Sequence, residues 1–168
     1  MNHILSILVE NRPGVLARVA DLFSARGYNI ESLTVAQTTD TDLSRITCAT
    51  TGSERTVEQI VKHLQRLIDV LHVVRFPVGS PDFVAREMLL VKLRAGDRER
   101  AENLRLADKF QADVVDDGVE TVMIEVTGDP EKLDAMLEAL KPVGILEIAR
   151  TGQVAMAKGT TSKAPSPL

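Results

Sequence analysis

Asn11-Arg12-Pro13-Gly14-Val15-Leu16 is the stretch of this chain whose residue types and order best suit the capture of a small molecule. A nearly continuous apolar run, Ile4, Leu5, Ile7, Leu8 and Val9, precedes it, and Val15, Leu16, Val19, Leu22 and Phe23 follow at helical spacing. A strand therefore ends and a helix begins there. The first N–H groups of a helix have no intrahelical acceptor, and the helix dipole is positive at that end. A carboxylate suits such a place, and Gly14 has no side chain to block its approach. An amino acid also carries an ammonium, for which the side-chain carbonyls of Asn11 and Asn29 are candidate acceptors. Asn29 lies just past Gly27, the expected C-cap of the same helix. A helix of about a dozen residues, roughly 18 Å, separates the two asparagines. One ligand touching both would need them from two subunits packed side by side. Structural roles stay open beside the binding one: Asn11 as a helix cap, Asn29 in a left-handed turn.

The other reactive side chains do not converge. His3, His63 and His72 fall at a strand start, on a helix and in a strand, with no Cys, Asp or Glu at metal-ligand spacing. His63, next to Lys62, reads as solvated. Cys48 is the only cysteine, which excludes an internal disulfide, and its place beside Ile46 in an alternating strand reads as a packed thiol. Asp40 with Asp42, and Asp116 with Asp117, are carboxylate pairs that turn chemistry explains. Neither a nucleophile elbow nor a phosphate-cradling glycine loop occurs. No catalytic residue, no metal site and no cofactor of its own are expected.

The elements that would position Asn11 and Asn29 are legible by period. His3 to Glu10 reads as a strand, with a helix from about Pro13, the proline suiting its first turn, to Gly27. Strands follow at Ile30 to Thr38 and Ser44 to Thr51, with a polar turn between them. Ser53 caps a second helix whose inward face is Val57, Ile60, Val61, Leu64, Leu67 and Ile68. Val70 to Phe76 is a fourth strand, completing a βαββαβ order. The pattern then repeats. Met88 to Leu93 is a strand, Asp97 caps a helix from Arg98 to about Ala112 with Ala101, Leu104 and Phe110 inward, and a strand pair surrounds Asp117-Gly118. Asp129-Pro130 opens the next helix and Ile145 to Ala149 is the last strand. The expected fold is α+β, two tandem ferredoxin-like domains: residues 1–78, a linker at 79–85, residues 86–157, and a disordered tail at 158–168 rich in small and polar residues.

Composition agrees with this. The chain's 168 residues suffice for two domains of roughly 75 residues each. Aromatics are 3%, with no Trp, so the cores must be aliphatic, and small aliphatic domains are often completed by dimerisation. The net charge of −4 argues against nucleic acid as a partner. No apolar run reaches about 18 residues, so no membrane span is expected. The start, Met1-Asn2-His3-Ile4-Leu5, does not resemble a signal peptide. A cytoplasmic protein is expected.

Asn11-Arg12-Pro13-Gly14-Val15-Leu16 resembles the ligand-binding opening of ACT domains. Phe23-Ser24-Ala25-Arg26-Gly27-Tyr28-Asn29-Ile30-Glu31-Ser32-Leu33-Thr34-Val35 is more specific and is similar to the small subunit of acetolactate (acetohydroxyacid) synthase. Arg86-Glu87-Met88-Leu89-Leu90-Val91-Lys92 resembles the start of that family's C-terminal domain. The resemblance covers about residues 3 to 157. It implies a non-catalytic regulatory subunit that activates a large catalytic subunit holding thiamine diphosphate, magnesium and FAD, and that confers feedback inhibition in branched-chain amino-acid biosynthesis, usually by valine. It also implies a homodimer whose effector site takes Asn11, Gly14, Val15 and Leu16 from one subunit and Asn29 and Ile30 from the other. A free-standing ACT-domain sensor acting on another enzyme or a transcription factor is the alternative reading.

Overall fold

The structure, a computed structural model, describes residues 2–159. The expected disordered tail lies outside the described residues except for Lys158 and Gly159. Two compact units form, residues 2–85 together with 152–159, and Arg86–Thr151.

In the first unit the order is β1 (Asn2–Glu10), α1 (Val15–Ala25), β2 (Ser32–Gln37), β3 (Leu43–Thr51), α2 (Glu54–Leu64) and β4 (Val70–Pro77). The antiparallel sheet runs β2-β3-β1-β4, so β1 and β3, each followed by a helix, are central and β2 and β4 are the edges, as in a split βαβ fold. Strict alternation sends Leu5, Ile7 and Val9 to the helix side, where they meet Ile46 and Cys48 of β3 and Val15, Val19, Phe23, Val57, Ile60 and Leu64 of the helices. These apolar chains are almost wholly buried, and each full Leu, Ile or Phe burial contributes about 1.5–3 kcal/mol.

The end of α1 follows from three residues. Gly27 adopts φ +66 and donates its N–H to the Ser24 carbonyl, while the Tyr28 N–H reaches the Phe23 carbonyl. That is a Schellman closure, and its customary apolar contact is the edge-on packing of Phe23 and Tyr28, with centroids 6.1 Å apart. The start of α1 differs from expectation. Pro13 stays in a turn, and Gly14, at φ +84, is the N-cap before Val15. The left-handed glycine lets the Val15 N–H bond back to the Arg12 carbonyl, so the helix begins two residues later than Pro13 alone suggests. Similarly, α2 ends at Leu64, and Ile68, expected inside, is 93% exposed. Leu67 alone of that pair packs against the core, because the turn from Arg66 to Asp69 breaks the helical period.

The second unit repeats the order with β5 (Phe83–Arg94), α3 (Asp97–Phe110), β6 (Asp113–Asp117), β7 (Thr121–Gly128), α4 (Pro130–Leu140) and β8 (Ile145–Arg150), in a sheet ordered β6-β7-β5-β8. Its core is Leu89, Val91, Leu93, Val122, Ile124 and Val126 under Leu106, Ala107, Leu133, Met136 and Leu140. Asp129 caps α4 by accepting from the Lys132 N–H at 2.9 Å, with Pro130 in the first turn, as its sequence predicts. The inward face of α3 matches expectation only at Phe110. Ala101 and Leu104 are exposed, and Asn103, Leu106, Ala107 and Phe110 face the core. A polar Asn103 in the buried i, i+3, i+4, i+7 row conceals that face from a hydrophobicity reading. It is wholly buried and donates to the Arg94 carbonyl at 2.8 Å.

Two boundaries differ from the expected ones. β5 begins at Phe83, so residues 83–85, assigned to a linker, are strand. A further short strand, β9 (Val154–Ala157), pairs with β5. Ala155 of β9 packs with Phe76, Phe83 and Ile4, which puts residues 152–157 with the first unit rather than with the C-terminal domain.

Candidate functional site

Three backbone bonds fix the end of β1. The Glu10 N–H reaches the Asp69 carbonyl at 2.9 Å, the Asn11 N–H reaches the Asp42 carbonyl at 2.7 Å, and the Arg12 N–H returns to Glu10. Asp69 is itself buried and held by Arg18, Nε to Oδ2, at 2.8 Å. The junction is thus tied on one side to the α2–β4 turn and on the other to the β2–β3 hairpin.

Asn11 does not cap α1. Its amide donates to the Thr41 carbonyl at 2.8 Å and its side-chain oxygen accepts from the Ser44 hydroxyl at 3.0 Å. An amide oxygen has two lone pairs, so one acceptor position is left on this exposed side chain. No side chain caps α1. The first turn therefore presents backbone N–H groups without a side-chain acceptor, beside Asn11 and Gly14, which is the geometry a carboxylate with a neighbouring ammonium would need. Leu16 is 41% exposed at the same place. Val15 points the other way: its side chain is in the core, so it can offer a ligand only backbone.

Asn29 is at the opposite end of the unit. Its carbonyl accepts from the Thr50 hydroxyl at 2.7 Å, and its amide donates to Glu31 at 2.6 Å. It is not left-handed: among the described residues only Gln111 is a non-glycine with positive φ. Ile30 is half-buried against the core. Asn11 touches Ser44 and Asn29 touches Thr50 on the same strand, six positions apart, or roughly 20 Å. Asn11, Gly14, Val15 and Leu16 come together, and Asn29 and Ile30 do not join them within one chain. Thr41, Asp42 and Ser44, which hold Asn11, were not identifiable from sequence, because turn residues of this kind carry no pattern that names their partner.

Cys48 is buried, and burial pushes its thiol up to about 12. His63 is not freely solvated: Arg26 Nη1 lies 3.0 Å from its Nε2 and Tyr28 stacks on it. Burial, then the charges of Arg26 and Arg66, hold its pKa below the ordinary histidine value. His3 is lowered likewise by burial and by Arg75. Among the described residues no cluster of His, Cys, Asp or Glu could hold a metal ion, and no helix is long and apolar enough to cross a membrane.

Two family models match the chain: residues 5–72 match the acetohydroxyacid synthase small-subunit-like ACT domain, and residues 86–159 match the small subunit of acetolactate synthase. A probable acetolactate synthase small subunit of Archaeoglobus fulgidus is 45% identical over 159 residues, covering 95% of this chain and 98% of that protein. The acetolactate synthase isozyme 3 small subunit of Salmonella typhimurium is 45% identical over 160 residues, covering 95% and 97%. The crystal structure of an acetolactate synthase small subunit from Thermotoga maritima superposes with a TM-score of 0.89 at 38% identity, covering 95% of this chain and 98% of that one.

Proposed function

Because the chain belongs to the acetolactate synthase small-subunit family, we propose that it is the regulatory partner of a thiamine-diphosphate-dependent large subunit, which it activates and, on binding valine, inhibits. Thiamine diphosphate, magnesium and FAD belong, on this reading, to the catalytic partner, and the pair acts in the cytoplasm. The small subunit supplies control rather than chemistry.

The observation that carries the reading is the uncapped start of α1 beside Asn11, at the far end of β3 from Asn29. β2 is one of the two edge strands of its sheet, with Val35 40% exposed and no strand paired to its outer side among the described residues. Two copies joined through β2 by a two-fold axis would pair these strands antiparallel. Gln37 lies opposite Ser44, hence at the Asn11 end of the unit, whereas Ser32 follows Asn29. Antiparallel pairing therefore brings the second copy's Asn29 end to the first copy's Asn11 end. The carboxylate of valine would meet the first-turn N–H groups, the ammonium the Asn11 side-chain oxygen and the second copy's Asn29, and the isopropyl group Leu16 and the second copy's Ile30. A charged side chain there would be buried without a partner, which disfavours it.

Valine changes activity only if it binds the activating and inhibited arrangements unequally, and a difference of about 1–3 kcal/mol is typical of such coupling. Titrating the reconstituted two-subunit enzyme with valine, leucine and isoleucine tests the reading. Inhibition by valine at the lowest concentration is expected. A complex neither activated by this chain nor inhibited by any of the three would overturn it.

A further inference from the structure

The second unit repeats two of the backbone bonds that fix the strand-to-helix junction of the first. The Asn11 N–H to Asp42 carbonyl bond of 2.7 Å has its counterpart in Ala95 N–H to Glu120 carbonyl, 2.9 Å. Glu10 opposite Leu43 corresponds to Arg94 opposite Thr121, and Glu10 N–H to Asp69 carbonyl corresponds to Arg94 N–H to Gly144 carbonyl. The side chains at these matching positions are not alike. Glu10 is paired with Arg12 at 3.1 Å, whereas Arg94 takes its place with the opposite charge and, among the described residues, makes no ion pair or side-chain hydrogen bond.

A cleft of about 460 Å³ opens at this second junction, within the size range of small-molecule sites. Arg94, Glu99, Val119, Glu120, Thr121 and Leu146 line it. Gly96, also on its wall, has no Cβ; one placed there would lie 2.5 Å from Glu99 Oε2, so the glycine is what lets that carboxylate lie across the backbone. Glu99 and Glu120, like Arg94, have no ion-pair partner among the described residues. Val119 and Leu146 keep 92% and 46% of their surface exposed. The hairpin side of the cleft is held in shape from below, because Arg100 binds Asp117 and the carbonyls of Gly118 and Val119.

We propose that this cleft is a second ligand site of the chain, specific for an aliphatic α-amino acid in its zwitterionic form. The Arg94 guanidinium takes the carboxylate, with the Thr121 hydroxyl as a further donor, since a guanidinium fits a carboxylate through two parallel hydrogen bonds. The ammonium goes to Glu99 and Glu120. A simple anion would meet two uncompensated carboxylates and a simple amine would leave Arg94 unmatched, so both charges of the ligand are needed. The alkyl side chain covers Val119 and Leu146. The proposal does not depend on the effector site of the first unit, because all its residues lie within Arg86–Thr151.

Amide NMR of the full chain tests it, with three probes: L-leucine, its 2-oxo acid, which lacks the ammonium, and isopentylamine, which lacks the carboxylate. Leucine should shift the amides of Ala95, Gly96, Glu120 and Thr121 saturably, and should do so equally in Asn11→Ala. Each one-ended probe should bind about tenfold more weakly or worse. Arg94→Ala should abolish the saturable shifts at unchanged melting temperature, and Arg94→Lys should restore them in part. Three results would overturn the proposal: no saturable shift at these amides from leucine, isoleucine or valine up to about 10 mM, weaker than any ordinary effector site; shifts that survive Arg94→Ala; or a 2-oxo acid that binds as well as the amino acid.

Discussion

Asn11→Ala and Ser44→Ala should separate what holds the junction together from what binds the effector. Asn11 makes two side-chain hydrogen bonds, to the Thr41 carbonyl and from the Ser44 hydroxyl, and is itself exposed. A net contribution of about 0.5–1.5 kcal/mol per bond, at the low end for an exposed pair, puts the stability loss near 1–2 kcal/mol. For a unit of this size that lowers the melting temperature by several degrees, about 4–8 °C per kcal/mol. Ser44→Ala removes only one of the two bonds, so roughly half that loss is expected. The effect on valine is of another order. Asn11→Ala deletes an acceptor for a charged ammonium, worth about 1.5–3 kcal/mol, or a 10- to 150-fold weakening. Ser44→Ala leaves that oxygen in place and frees a second lone pair on it, so valine affinity should change by no more than a few-fold. Calorimetric titration of each purified variant with valine, beside a thermal melt, reads both numbers. If Ser44→Ala loses valine affinity as completely as Asn11→Ala, or if neither does, Asn11 acts through loop position or not at all, and the assignment of its oxygen to the ammonium is refuted.

Three further outcomes follow from the same structure. Arg150 bridges Asp134 and the buried Glu87, both at 2.6 Å, and Arg150→Met strands a buried carboxylate; about 3 kcal/mol of stability should be lost in a denaturant melt, while Asp134→Asn, on the exposed partner, should cost well under 1 kcal/mol. Cys48, its thiol pushed up to about 12, should resist iodoacetamide at pH 8 in the native protein and react only once denaturant exposes it. His3 and His63 both titrate below the ordinary histidine value when folded, so the unfolded chain binds more protons in that window; stability should be full above about pH 6.5 and fall as pH drops through 6.5 toward the folded values, and His3→Gln with His63→Gln should flatten that slope in melts at pH 5 to 7.

The parts of this fold that show in the sequence are those whose period is strong and whose ends are chemically marked. The α2 face repeats every 3.6 residues behind Ser53, and Asp129-Pro130 announces α4. Gly27 marks the end of α1 because only a glycine takes φ +66 there without strain. What stayed hidden depends on partners distant in sequence. β9 is four residues of alternating small and exposed side chains, and only its pairing with β5 makes it a strand. The buried Asn103 turned the α3 face away from where apolar residues alone would put it. At the candidate site, Asn11, Gly14 and Leu16 were readable from the strand-to-helix junction. Val15 facing the core is implied by its helical spacing with Val19 and Phe23, but that Ser44 and Thr41 hold Asn11 was not readable, since it depends on how the β2–β3 hairpin folds back on β1.

Mixed dimers measure whether the effector site is shared between two copies. Co-express Asn11→Ala with Asn29→Ala under separate tags, purify the heterodimer and titrate it with valine. Each homodimer lacks a complete site. If every site takes Asn11 from one copy and Asn29 from the other, the heterodimer holds one intact site and one doubly damaged site, and should bind one valine per dimer with wild-type affinity. If both asparagines served a site within a single chain, every site in the heterodimer would carry one lesion, and the failure to recover any wild-type binding would contradict a site shared between two copies.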